Sequence, residues 1–114
     1  MQEARLQNEK YKKGETELIT SKQRAALRKC AHTIEPIFNV GKDGISDELV
    51  QGMADALKKR ELIKAHVLEN CEYTAREACD ILAERLEAEP VQTIGSKFVL
   101  YKRNPETDQY GEIF

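Results

Sequence analysis

"FNVGKDGISDELV", Phe38 to Val50, packs three different kinds of local instruction into one stretch. Phe38-Asn39-Val40 is a short aromatic and β-branched run that suits a strand. Gly41 and Gly44 then bracket Lys42 and Asp43, and two glycines at that spacing make a tight turn. Ser46 can accept a hydrogen bond from an amide of the next turn, while Asp47 and Glu48 suit a helix N-terminus, where the dipole is positive. Ile45, Leu49, Met53, Ala56 and Leu57 follow at helical spacing. The stretch therefore reads strand, glycine loop, helix. Gly52 inside that helix costs roughly 1 kcal/mol relative to alanine, which predicts close packing against a sheet.

Working outward, Pro36 ends an upstream helix, and "PIFNV" is the strand that follows it. The upstream helix opens at Thr20, with Gln23 three residues later in capping-box spacing. Gln23, Ala26, Leu27, Cys30 and Ile34 share one of its faces. Downstream, "LIKAHVLE" (Leu62–Glu69) reads as a second strand. Thr74 and Glu77 open a third helix whose core face is Ala75, Ala78, Cys79, Leu82 and Leu86. "VQTIGSKFVLYKR" reads as a hairpin turning at Gly95-Ser96, with positive φ expected at the glycine. Its second arm, Phe98 to Tyr101, is apolar throughout and is expected to be buried on both faces. The order is α-β-α-β-α-β-β, an α/β fold with about four strands packed with helices. One domain is expected over residues 18–104. Residues 1–17 are expected to form a charged mobile arm, and residues 105–114 a polar tail in which Tyr110, Ile113 and Phe114 could dock.

A chain of 114 residues fits one such domain. No stretch approaches the ~20 apolar residues that span a bilayer, and Met1 is followed by polar sequence and not by a signal-type apolar run, so a cytoplasmic protein is expected. Cys30, Cys71 and Cys79 form no C-x-x-C pair and are expected to be small packed thiols in a reducing compartment. The net charge of −2 hides a segregation. Thr20–Lys64 carries nine lysines and arginines against six acids, and Glu69–Glu89 carries two against seven. In Pro90–Asn104, Lys97, Lys102 and Arg103 stand unopposed. A polyanion meets the local potential, so the overall charge does not exclude one.

Several chemistries lack their residues. A P-loop fails because Pro36 replaces its first glycine and Asp43 its hydroxyl. A dinucleotide fingerprint is absent, and the acids of a calcium loop are missing before Gly44. His32 and His66 stand beside no recognisable nucleophile with an orienting acid. The expectation is a protein that is not an enzyme and needs no metal or cofactor. The glycine loop remains. Glycine at each end removes β-carbons that would hold a sugar-phosphate backbone away, and a helix N-terminus with Lys42 adds positive character. Asp43 opposes phosphate there unless it points away or caps the following helix.

The succession from "LITSKQRAALRKCAH" through "EPIFNVGKDGISDELVQGMADALKKRELIKAHVLE", closing on "VQTIGSKFVLYKRN", resembles the YhbY family. That family is the stand-alone bacterial form of the chloroplast RNA splicing and ribosome maturation (CRM) domain. The resemblance spans Leu18 to Asn104. It implies a fold similar to the C-terminal domain of translation initiation factor 3, with a G-x-x-G loop like that of KH domains. It also implies binding to RNA, and for stand-alone members association with precursor large ribosomal subunits. On this sequence the loop falls on Gly41, Lys42, Asp43 and Gly44. The adjoining basic surface comes from Lys22, Arg28, Lys29 and Arg24 of the first helix, with Lys64 and Arg103 as strand-borne contributors. With no tryptophan and few other aromatics, backbone and shape recognition of ribosomal RNA is expected over base-specific readout. The competing reading is a protein-binding module that uses the acidic third helix or the C-terminal tail. An enzyme would require His66 to cluster with two carboxylates.

Overall fold

A computed structural model describes residues 19–113 of the chain. The N-terminal arm expected over residues 1–17, and Phe114, lie outside the described residues. Elements follow the expected order: α1 (Ser21–Ala31), β1 (Phe38–Val40), α2 (Asp47–Arg60), β2 (Leu62–Val67), α3 (Ala75–Leu86), β3 (Glu89–Ile94) and β4 (Lys97–Tyr101), then a 3-10 turn at Gly111–Ile113. Their boundaries have local causes. Thr20 and Thr74 each accept from the amide three residues on, and Gln23 and Glu77 return the bond, so both are capping boxes. Ser46 caps α2 by accepting from the Leu49 amide. Gly95 takes φ 58° at the hairpin turn, as the two-residue loop requires.

The strands form one mixed sheet in the order β1-β2-β4-β3. β1 and β2 run parallel, connected through α2, and β4 lies antiparallel to both of its neighbours. β4 is central because Phe98 through Tyr101 bury both of its faces. β3 occupies an edge, where Pro90 lacks no needed ladder bond, and it bulges between Pro90 and Gln92. α2 and α3 cover one face of the sheet, packing Met53, Leu57, Cys79 and Leu82 on Val40, Ile63, Ala65, Phe98 and Leu100. Gly52 belongs to this layer: a β-carbon there would sit 3.4 Å from the Phe38 ring. α1 covers the other face, setting Leu27 and Ala31 on Leu62, Val91, Val99 and Tyr101. Ala31 is buried and Ala26 only partly so, which rotates the buried stripe of α1 from the one its sequence suggests.

The residues after β4 fold back on the domain. Glu61 ends α2 at φ 65° and is fully buried. Its carboxylate accepts from the Gln109 amide at 2.8 Å, the Asn104 amide at 3.4 Å and the Thr107 hydroxyl. The side chains of Asn104 and Gln109 donate to the carbonyls of Lys58 and Lys59, at 2.9 and 3.0 Å. Lys102 Nζ does the same for Leu86 of α3 at 2.9 Å. A helix leaves its last carbonyls without partners, and here the C-terminal segment supplies them. Tyr110 and Ile113 then pack on the α1 side, Tyr110 meeting Tyr101 edge-on at 6.0 Å between centroids.

Candidate nucleic-acid interface

α1 holds its cations where the buried stripe leaves them. Leu27 and Ala31 face the sheet, so Lys22, Arg28, Lys29 and His32 emerge on the opposite side around Ala25 and Ala26. The small alanines leave a shallow depression rimmed by these long side chains. No acid falls between Thr20 and Thr33, and none of these three lysines and arginines makes an ion pair among the described residues. Arg24 points elsewhere. Its Nε donates to the Pro90 carbonyl at 3.2 Å, and its guanidinium lies 3.8 Å from Glu89. Burial pushes the Glu89 carboxyl above its ordinary value, with Arg24 pulling it back. Arg24 thus ties α1 to the start of β3.

The glycine loop is a closed turn at the C-terminal end of β1. The Gly44 amide donates to the Gly41 carbonyl at 2.9 Å, leaving Lys42 and Asp43 exposed at the corner. Only Gly44 has positive φ, 65°, so it is the glycine that the backbone requires. A β-carbon on Gly41 would lie 3.4 Å from Leu68 and Asn70 side-chain atoms, ordinary contact. Asp43 does not cap α2, since Ser46 does. The loop is electrically mixed: Asp47 and Glu48 already answer the α2 dipole, and the Glu72 carboxylate lies near Gly44. Lys42 is its one cation. Positive potential on this molecule therefore concentrates on α1 more than in the loop.

Lys64 shares the α1 side of the sheet, because its neighbours Ile63 and Ala65 face α2 and α3. Arg103 lies just beyond the C-terminal end of β4, bonded to Asp108 at 3.2 Å. Lys22, Arg28 and Lys29 are thus brought together, Lys64 lies on the sheet they flank, and Arg24 and Arg103 are engaged in the fold. Lys97, one of the three unopposed cations of Pro90–Asn104 but not among the expected contact residues, lies directly opposite His66 on the α1 side. Strand alternation carries that information only once the β2–β4 register is known. His66 has Asn39 and Lys97 as its cross-strand neighbours. The thiols are all free, and burial pushes that of Cys79 up. On the far side, α3 exposes Glu77, Asp80 and Glu84 together with Arg76 and Arg85, which pair with Asp80 and Asp47, so this surface is mixed and only slightly acidic.

Comparison with known proteins gives the family and the fold. The profile of the CRS1 / YhbY (CRM) domain matches residues 19–102. The chain is 44% identical to a Bacillus subtilis protein named "Probable RNA-binding protein YqeI", over 81% of this chain and 96% of that one. It is 30% identical to a Haemophilus influenzae protein named "RNA-binding protein", over 77% and 89% respectively. Among solved structures, that of the hypothetical protein SAV1595 from Staphylococcus aureus superposes with a TM-score of 0.66. Identity is 42%, covering 76% of this chain and 91% of that one.

Proposed function

The chain belongs to the CRS1 / YhbY (CRM) domain family, and from that membership we propose that it is a non-enzymatic RNA-binding protein. Its target is ribosomal RNA within precursor large ribosomal subunits, which it meets in the cytoplasm during their assembly. The observation that carries this reading is the depression on α1, where Lys22, Arg28 and Lys29 face solvent with no acid among them. Three cations on one helix, with no ion-pair partner among the described residues, make an array for phosphates, and neutralising phosphates releases condensed counterions. The turn at Gly41–Gly44 adds Lys42 and a backbone that a sugar-phosphate chain can approach, while Asp43 and Glu72 limit its attraction. Lys64 extends the basic surface.

Salt titration tests the phosphate contacts. With about four phosphates neutralised, affinity for single-stranded RNA should fall with a log–log slope near −3. Replacing Lys29 and Lys42 together by alanine should make the slope shallower by about 1.4. An unchanged slope and affinity in a folded double variant would remove this surface from the reading. Sedimentation of the protein with precursor large subunits, lost in the same variant, tests the ribosomal target.

A further inference from the structure

Among the described residues nothing covers one row of the sheet, and the register makes it continuous across all four strands. Asn39 of β1 is opposite His66 of β2, His66 opposite Lys97 of β4, and Lys97 opposite Ile94 of β3. All four project on the α1 side, since Ala65, Val67 and Phe98 beside them face α2 and α3. α1 itself lies farther along this face, over Leu62, Val91, Val99 and Tyr101. Asn39, Lys97 and Ile94 are exposed and His66 half-exposed. At ~4.8 Å between strands the row is about 14 Å long.

The row has its own chemistry. Ile37 and Ile94 are the large hydrophobic side chains exposed among the described residues, at 42% and 58%, and both lie on this side of the sheet. Between them stand the His66 imidazole, the Lys64 and Lys97 ammonium groups and the Asn39 amide. Neither lysine has an ion-pair partner among the described residues. Flat apolar and imidazole surface flanked by two ammonium groups suits a nucleobase with its phosphate. The row also connects the other candidate contacts. Asn39 leads within two residues into Gly41, and Ile94 and Lys97 flank the Gly95-Ser96 turn.

We infer that this row is a platform for unpaired nucleotides, on which a base stacks on His66 beside Ile94 while Lys97 and Lys64 hold its phosphates. The inference rests on the RNA-binding reading and deepens it by naming the RNA class, a loop or single strand adjoining the phosphates that α1 contacts. A base inside an A-form duplex keeps its faces within the stack and offers nothing to such a surface. Asn39 can bond the edge of the stacked base, which gives the protein some preference among bases despite its few aromatic residues.

Two probes separate the possibilities: an RNA hairpin with an eight-nucleotide loop, and the same stem as a blunt duplex. His66→Ala should weaken hairpin binding roughly tenfold, the scale of one lost stacking contact, and leave duplex binding unchanged. His66→Phe, which keeps a ring at the same place, should retain hairpin affinity. Lys22→Ala with Lys29→Ala should weaken both probes alike. Equal hairpin affinity for His66→Ala and wild type would overturn the platform while leaving the α1 reading intact, as would an equal loss on both probes. Failure of the wild type to bind either RNA would overturn both readings.

Discussion

Replacing Glu61 tests whether the C-terminal segment is a structural part of the domain. In Glu61→Ala the carboxylate is lost, and the amide of Gln109, the amide of Asn104 and the hydroxyl of Thr107 lose their acceptor. The site is fully buried, so water does not readily replace it. Hydrogen bonds to a charged acceptor contribute about 1.5–3 kcal/mol each, and the 3.4 Å bond to Asn104 belongs at or below the bottom of that range. Two good bonds and one poor one give an expected loss of about 3–7 kcal/mol, a large part of a domain's ~5–15 kcal/mol. Glu61→Gly removes the same bonds but relieves the positive φ, so it should be more stable than Glu61→Ala by about 1 kcal/mol. Urea unfolding measures both variants, and hydrogen exchange at the Gln109 amide shows whether the segment has detached. A loss below about 1 kcal/mol in Glu61→Ala, with Gln109 still protected, would refute this account of the buried carboxylate. Glycine no better than alanine would refute the strain argument alone.

Burial, and then the nearby Glu61 charge, push the Tyr101 hydroxyl up to about 12 from an ordinary 10. The folded state keeps that proton after the unfolded state has lost it, so stability should fall between pH 10 and 12, by at most about 1.4 kcal/mol per pH unit. Tyr101→Phe should flatten that decline in urea titrations at rising pH, and parallel curves for the two proteins would contradict it. In the glycine loop, Gly44→Ala should cost about 1–2 kcal/mol because a β-carbon at positive φ is strained. Gly41→Ala should change thermal stability by much less, having only ordinary contacts at 3.4 Å. Equal losses would show that the turn needs both glycines for the same reason.

Much of the local structure was legible in the chain because its causes lie within three or four residues. Thr20 with Gln23, Thr74 with Glu77, and Ser46 before two acids each satisfy amides one turn away, so their helices announce themselves. The Gly95-Ser96 turn and the apolar run of β4 were equally plain. The candidate surface was only partly legible. Lys22, Arg28 and Lys29 stand out as acid-free helix positions, but nothing near Arg24 or Arg103 in sequence says that Pro90 and Asp108 engage them. The glycine loop looked more cationic than it is, because the approach of Glu72 depends on the path of a later segment.

The sequence by itself determined which elements form, in what order, and, α1 apart, which stripe of each helix and strand faces the core. These follow from hydrogen bonds and side-chain spacing along a single stretch of chain. Tertiary structure alone decided that β4 inserts between β2 and β3, and that Glu61 is buried under the C-terminal segment. It also decided that Asn39, His66, Lys97 and Ile94 share one row on the α1 side of the sheet. Those outcomes depend on pairing register and on where α1 stops covering the sheet. Both are set by burying two faces of one sheet at once, across separations of tens of residues, and no local pattern encodes them.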